Sequence, residues 1–433
     1  MKKYEIGTLF PNNQPNVAFY SPTAFCVTLN TITESQLSQI NPNKTDSLDS
    51  RRILYHEMRH NIDHLSTLWG QKKILQLCEA VNAWIGKDEK QFFRIVQYKI
   101  NERQLHFNTY YTESYNSVIW RNDANNWGFE FSTGLRFDNE GNLVNNNPII
   151  FLNFKTQNGL PINRVPLSIA SLLEVNAISE EILAEQRYLN TLLKDKQKIE
   201  AIKLERKMLG NVIYDPDFAV YNCIVHLVSV TLQFTSLVEA IEIASQISTV
   251  VLNLPDSLLN IIPINSKRME AWRDRPKDLV NNGDYGFIFF NTLHNYREIY
   301  IKENGFSLEG FLHANNLPDK ETIEDLLINE FIQIKANLSK AKSLSKFFED
   351  KASEGLKLFK LRGLDGRGSS IPDLFKKAEY IPFIVAKNTL ITRQVSLNGV
   401  MKDNLDDISI DQWYHLSADL NEKMEHFFQI RGI

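Results

Sequence analysis

The chain has 433 residues, 43% hydrophobic and 23% charged, a globular composition with length for two or three domains and a sizeable core. A formal charge of −4 at pH 7 and a pI near 6.2 give no global electrostatic reason to expect nucleic acid or an anionic membrane as partner. Three widely spaced cysteines, Cys26, Cys78 and Cys223, argue against a disulfide framework or a cysteine-rich metal knuckle and are expected as buried thiols.

The opening "MKKYEIGTLFPNN" has two lysines but not the apolar stretch of a signal peptide, and no uninterrupted apolar run approaches membrane-spanning length. The chain therefore reads as soluble and cytoplasmic, with no membrane partner. Within residues 1–45, "NVAFY" and "AFCVTLNTI" predict strands. From about Ser47 to Lys87 apolar residues recur at helical spacing; "TDSLDS" supplies N-cap candidates and Gly70 marks a candidate bend. A second helical stretch covers roughly 88–116. Asn- and Gly-rich turns then flank "FEFSTGLRF" and "PIIFLNF", which predict a hairpin or small sheet. From Pro166 onward most of the chain is helical in pattern. The charged "LKDKQKIEAIKLERK" reads as a solvated helix face, and "LRGLDGRGSS", without the Lys-Ser/Thr of a phosphate loop, reads as a turn. The segment "NLPDSLLNIIPINS" at 253–266 is the strongest late boundary signal.

The first long helix carries "YHEMRHNIDHLSTLWG", in which His56, Glu57 and His60 stand as H-E-x-x-H. At about 100° per residue, His60 lies about 40° round from His56 and one turn up, so both imidazoles leave one face and can grip one ion. Glu57, turned about 100° from His56, is placed to take a proton from a water that the metal polarises, rather than to bind the metal. His64 is four residues further on. On a continuous helix it is ~12 Å along the axis from His56, whereas two nitrogens at ~2.1 Å from one zinc are at most ~4.2 Å apart. His64 is thus expected beside the metal ligands or as a capping residue. Asp63 can either accept from an imidazole or pair with Arg59 one turn earlier, and the Arg59 pair is favoured.

A hydrolytic zinc site needs a third protein ligand. "LSIASLLEVNAISEEILAEQ" places Glu174 in an E-x-x-A arrangement among Leu172, Leu173, Ile178 and Ile182, a face that buries part of the turn and leaves the carboxylate in need of a partner. With HEMRH at 56–60 and LLEVNA at 172–177, the sequence resembles the gluzincin, thermolysin-like branch of the zincin metallopeptidases, which has H-E-x-x-H on one helix and a glutamate on a second. The resemblance implies Zn2+ held by His56, His60 and Glu174, with Glu57 as catalytic base. The match covers only these two helices. The interval to Glu174 is longer than in most gluzincins, and Ile178 stands where they usually have an acidic residue. Glu180 or Glu181 could take its place, but a charged helix face shared with Glu185 and Arg187 is the favoured reading of this stretch. Zincins commonly offer an edge strand to an extended substrate, and "PIIFLNF" is the candidate for strand addition.

The expected fold is α+β and mainly helical. A zincin-like catalytic domain with an active-site helix and small sheet spans residues 1–209, and a helical region spans 210–433, with a substrate-recognition or regulatory role. The expected function is a zinc-dependent endopeptidase acting on an intracellular protein or peptide. The alternatives are a metallohydrolase of a non-peptide amide or ester, and a catalytically inactive helical interaction protein. His226, in the apolar "YNCIVHLVSVTLQF", reads as a satisfied core histidine; His106, His294, His313, His415 and His426 lack metal-ligand spacing. Nothing selects among Tyr188, Tyr214 and Tyr221 as an oxyanion donor.

Overall fold

The computed structural model describes residues 17–40, 48–107, 110, 112–113, 127–138, 141–156, 158–234, 236–265, 269–303, 305–376, 382–387 and 408–431. Strands β1 (Ala18–Ser21) and β2 (Cys26–Leu29) come first, followed by helices α1 (Glu34–Gln39), α2 (Leu48–Ser66), α3 (Leu68–Gly86) and α4 (Phe93–Arg103). Strands β3 (Thr112–Glu113), β4 (Trp127–Phe137), β5 (Leu143–Thr156) and β6 (Pro161–Pro166) precede the long helix α5 (Ile169–Leu189). Helices α6 (Lys194–Met208), α7 (Ala219–Leu232), α8 (Leu237–Leu252), α9 (Asp256–Leu259), α10 (Arg275–Asn281), α11 (Tyr285–Glu303) and α12 (Leu308–Ala314) follow. The remainder is α13 (Lys320–Leu338), α14 (Ser345–Arg362), α15 (Ile371–Lys376), β7 (Phe383–Ala386) and α16 (Ile410–Ile430). The protein is mainly helical with two small sheets, an α+β arrangement. No single helix among the described residues is long and apolar enough to cross a membrane.

The chain divides into two compact units, one combining Gln14–Gln104 with Glu324–Ile433, the other holding Leu105–Ile323. Residues 209 and 210 both lie inside the second.

In the first unit β2 pairs antiparallel with β1 and parallel with β7, so a four-residue strand late in the chain, unmarked by the helical pattern around it, completes the sheet. Helix α2 is the centre of this unit. Strands β1 and β2 and helices α3, α14 and α15 all pack on it, and its residues from Met58 to Ser66 are buried without a break. The run between Ser47 and Lys87 breaks at Thr67 rather than at Gly70. Thr67 leaves the helical region (φ −98°, ψ 153°) and caps α3, its hydroxyl accepting from the Gly70 amide at 3.1 Å and donating to the Asp63 carbonyl at 2.6 Å. Gly70 serves the close approach that follows, since a Cβ there would lie 2.0 Å from the His64 carbonyl oxygen. The Leu65 carbonyl, freed from the helix ladder by the break, accepts from Gln71 Nε2 at 2.5 Å. Gly355 of α14 closes over the same spot, where a Cβ would lie 2.1 Å from that oxygen.

The helix expected over 88–116 ends at Arg103. The chain turns away because Phe107 adopts a left-handed φ of 50° and the Leu105 carbonyl accepts from the Ala170 amide at 3.1 Å. The second unit holds an antiparallel sheet of order β3-β6-β5-β4. "PIIFLNF" pairs with β4 from Pro148 and with β6 from Phe151, so it lies inside the sheet while β3 and β4 are the edges among the described residues, which corrects the expectation that it is open to strand addition. Helices α7, α8 and α11 pack around α5. Polar side chains are accordingly buried on several sides of α5: Ser171, Glu174 and Asn176 are all fully buried, and Asn176 Oδ1 accepts from Ser245 of α8 at 2.9 Å.

Candidate metal centre

Helical spacing brings the side chains of His56 and His60 together on α2. Their Nε2 atoms lie 3.3 Å apart, and the rings meet edge to face with centroids 4.9 Å apart. Two nitrogens bound tetrahedrally at ~2.0–2.1 Å from one zinc are ~3.3–3.4 Å apart, so the pair already has the spacing that one ion imposes. His56, His60 and Glu174 form a group that could hold a metal ion, with one ligand atom from each, all within 4.8 Å of one another. His60 and Glu174 are buried and His56 is half-buried. Two imidazoles and a carboxylate are a donor set that zinc takes in catalytic sites.

Glu174 arises on α5, which Ser168 caps by accepting from the Ser171 amide at 3.3 Å. Its flanks Leu172, Leu173, Ala177 and Ile178 are all buried, as the apolar pattern predicts. A carboxylate in such surroundings requires compensating charge or hydrogen bonds. Of the expected charged face, Glu180 and Glu185 are buried and Glu181 and Arg187 half-buried. Glu57, the expected base, is buried on α2 directly after His56.

His64 does not belong to the metal group. Its Nδ1 shares a 2.7 Å hydrogen bond with the Tyr20 hydroxyl, and its ring stacks on Phe25 with centroids 5.3 Å apart. Burial pushes its pKa down to about 3, aided by the positive charge of Lys73. Asp63 pairs with Arg59, its Oδ1 accepting from Nε at 2.7 Å, with both side chains nearly excluded from water.

His226 is the satisfied core histidine its context predicts. Its Nε2 lies 2.8 Å from the Ile213 carbonyl, its ring stacks on Trp127, and burial lowers its pKa to about 4. The three cysteines are buried and free, and burial pushes their thiols up to about 12, which leaves them inert as nucleophiles. The residue that sequence spacing passes over is His106. Burial pushes its imidazole pKa down to about 4, the negative charge of Glu174 opposing that shift in part. Sixty-eight residues separate the two in the chain, counting from 106 to 174, and no local pattern links them.

Comparison with protein-family models, with curated proteins and with solved structures finds no match for this chain. The functional reading rests on the site alone.

Proposed function

We propose that the protein is a zinc-dependent endopeptidase in which His56, His60 and Glu174 hold the ion and Glu57 is the general base. The observation that carries this reading is the gathering of two imidazoles and one carboxylate within 4.8 Å, on the H-E-x-x-H spacing. When bound, zinc supplies a Lewis acid that lowers the pKa of water toward ~7 and polarises a carbonyl. The chain's own contribution is positioning and proton transfer. His56 and His60 are fixed by a helix packed against by strands and helices, so little reorganisation accompanies ligation. Glu57, adjacent to His56 and turned about 100° around the helix, accepts the proton of the attacking water and returns it to the leaving amine.

The test compares wild type with Glu57→Gln, which keeps the side chain's size and removes the basic carboxylate. Metal content by elemental analysis should stay at about one zinc per chain in both. Cleavage of a peptide library should fall by about 10²–10⁴-fold in the variant. Zinc-loaded wild type that cleaves no faster than Glu57→Gln across peptide and protein substrates would overturn the assignment.

A further inference from the structure

We propose that α6 is a self-docking surface, on which a second copy of the chain packs its own α6 antiparallel. The helix runs through Lys194–Met208 with Met208 as its only buried residue. Its outward face carries Asp195, Ile199, Ile202 and Arg206, all exposed, the two isoleucines at 58% and 41%. Steps of four, three and four residues put these side chains on one stripe, the spacing of a coiled-coil seam.

The order of residues along the stripe decides the partner and its direction. It reads acid, isoleucine, isoleucine, base. Two parallel copies would set Asp195 on Asp195 and Arg206 on Arg206. Antiparallel copies set Asp195 against Arg206 at both ends and Ile199 against Ile202 at the centre, because each pair is equidistant from the point midway between Glu200 and Ala201. Such a contact is isologous and closes at two copies. The flanks of the seam differ. On one, Lys198 comes beside Glu205 of the second copy. On the other, Lys196 comes beside the second copy's Lys203, whose charge is shared with Glu200 of its own helix at 3.1 Å. The stripe is only about 16 Å long at ~1.5 Å per residue, and a helix pair of that length falls short of the ~1,000 Å² of a durable interface. The association is therefore weak and concentration-dependent.

Sedimentation equilibrium of the full chain, carried to high protein concentration, measures it. The weight-average mass of wild type should rise from 50.1 kDa toward twice that value. Asp195→Arg and Arg206→Asp each oppose like charges at both ends of the seam and should weaken association at least about tenfold. An equimolar mixture of the two variants opposes unlike charges again and should recover it, which fraying of α6 in either variant would not do. Lys203→Glu, which turns a like pair on the flank into an unlike one, should tighten it. None of these residues belongs to the metal group, so the result does not depend on zinc. Wild type that stays at 50.1 kDa throughout, or a mixture that associates no better than its components, would overturn the inference. So would a monomer that the lysines of α6 carry onto phosphatidylserine vesicles, which would assign the face to an anionic lipid surface.

Discussion

His60 and His64 stand one turn apart on α2 and are equally excluded from solvent, each 3% exposed. His60 turns its Nε2 to the Nε2 of His56 and joins the group with Glu174. His64 turns to the Tyr20 hydroxyl, lies against Phe25 and stays neutral down to about pH 3. Burial therefore does not tell these two histidines apart; what faces the nitrogen does. The next shell repeats the contrast, since Arg59 and Asp63 neutralise each other within one turn of the same helix.

The contrast is broken most directly by removing one histidine at a time. His60→Ala should reduce zinc from about one per chain to none, whereas His64→Phe should keep it, both read by elemental analysis after gel filtration. Retained zinc in His60→Ala, or its loss in a folded His64→Phe, would reverse the roles assigned to the two residues.

Arg59→Ala sharpens the contrast at the next scale. It removes the cation paired with a carboxylate that is 1% exposed, and stability measured by urea denaturation should fall by more than about 1 kcal/mol, toward about 3–5 kcal/mol. A loss below 1 kcal/mol would mean that water or another group takes over Asp63.

The smallest effect is a pH slope. His64 has a pKa of about 3 in the fold against ~6.5 unfolded, so between those values the unfolded chain binds a proton that the folded chain refuses. Its contribution is fully present above pH ~6.5 and is lost as pH falls toward 3, at up to about 1.4 kcal/mol per unit. Urea midpoints of wild type and His64→Phe between pH 7 and pH 4.5 should show the variant with the shallower acid slope. Parallel curves would remove His64 from the list of groups that resist protonation.

The parts of this arrangement legible in the sequence are those that depend on near neighbours. The spacing of His56 and His60 is a helical contact, and the Arg59–Asp63 pair follows the same i, i+4 rule. Glu174 required only that a carboxylate among leucines and isoleucines have a reason to be there. The break at Thr67 was within reach, because a threonine three residues before Gly70 can cap a helix, yet glycine is the stronger signal and draws the eye to the wrong residue. What depends on distant pairing was not legible. The partner of β2 is "FIVA" at 383–386, and the inner place of β5 follows from β4 and β6 flanking it. The Leu105 carbonyl meets the Ala170 amide of α5 beside the turn at Phe107, a pairing of residues 65 apart in the chain.

The contact between Gly355 and the Leu65 carbonyl sets an order of assembly. Helix α2 leaves the ribosome before α14, which carries Gly355 and emerges only after the whole of Leu105–Ile323 has been made. At ~5–20 residues per second that interval is on the order of tens of seconds. Throughout it the histidine helix lacks the cover that holds its C-terminal end, so the nascent chain carries the H-E-x-x-H residues before it carries the scaffold that aligns them. The alignment of those residues would then be timed by translation itself, arriving with α14 rather than with α2.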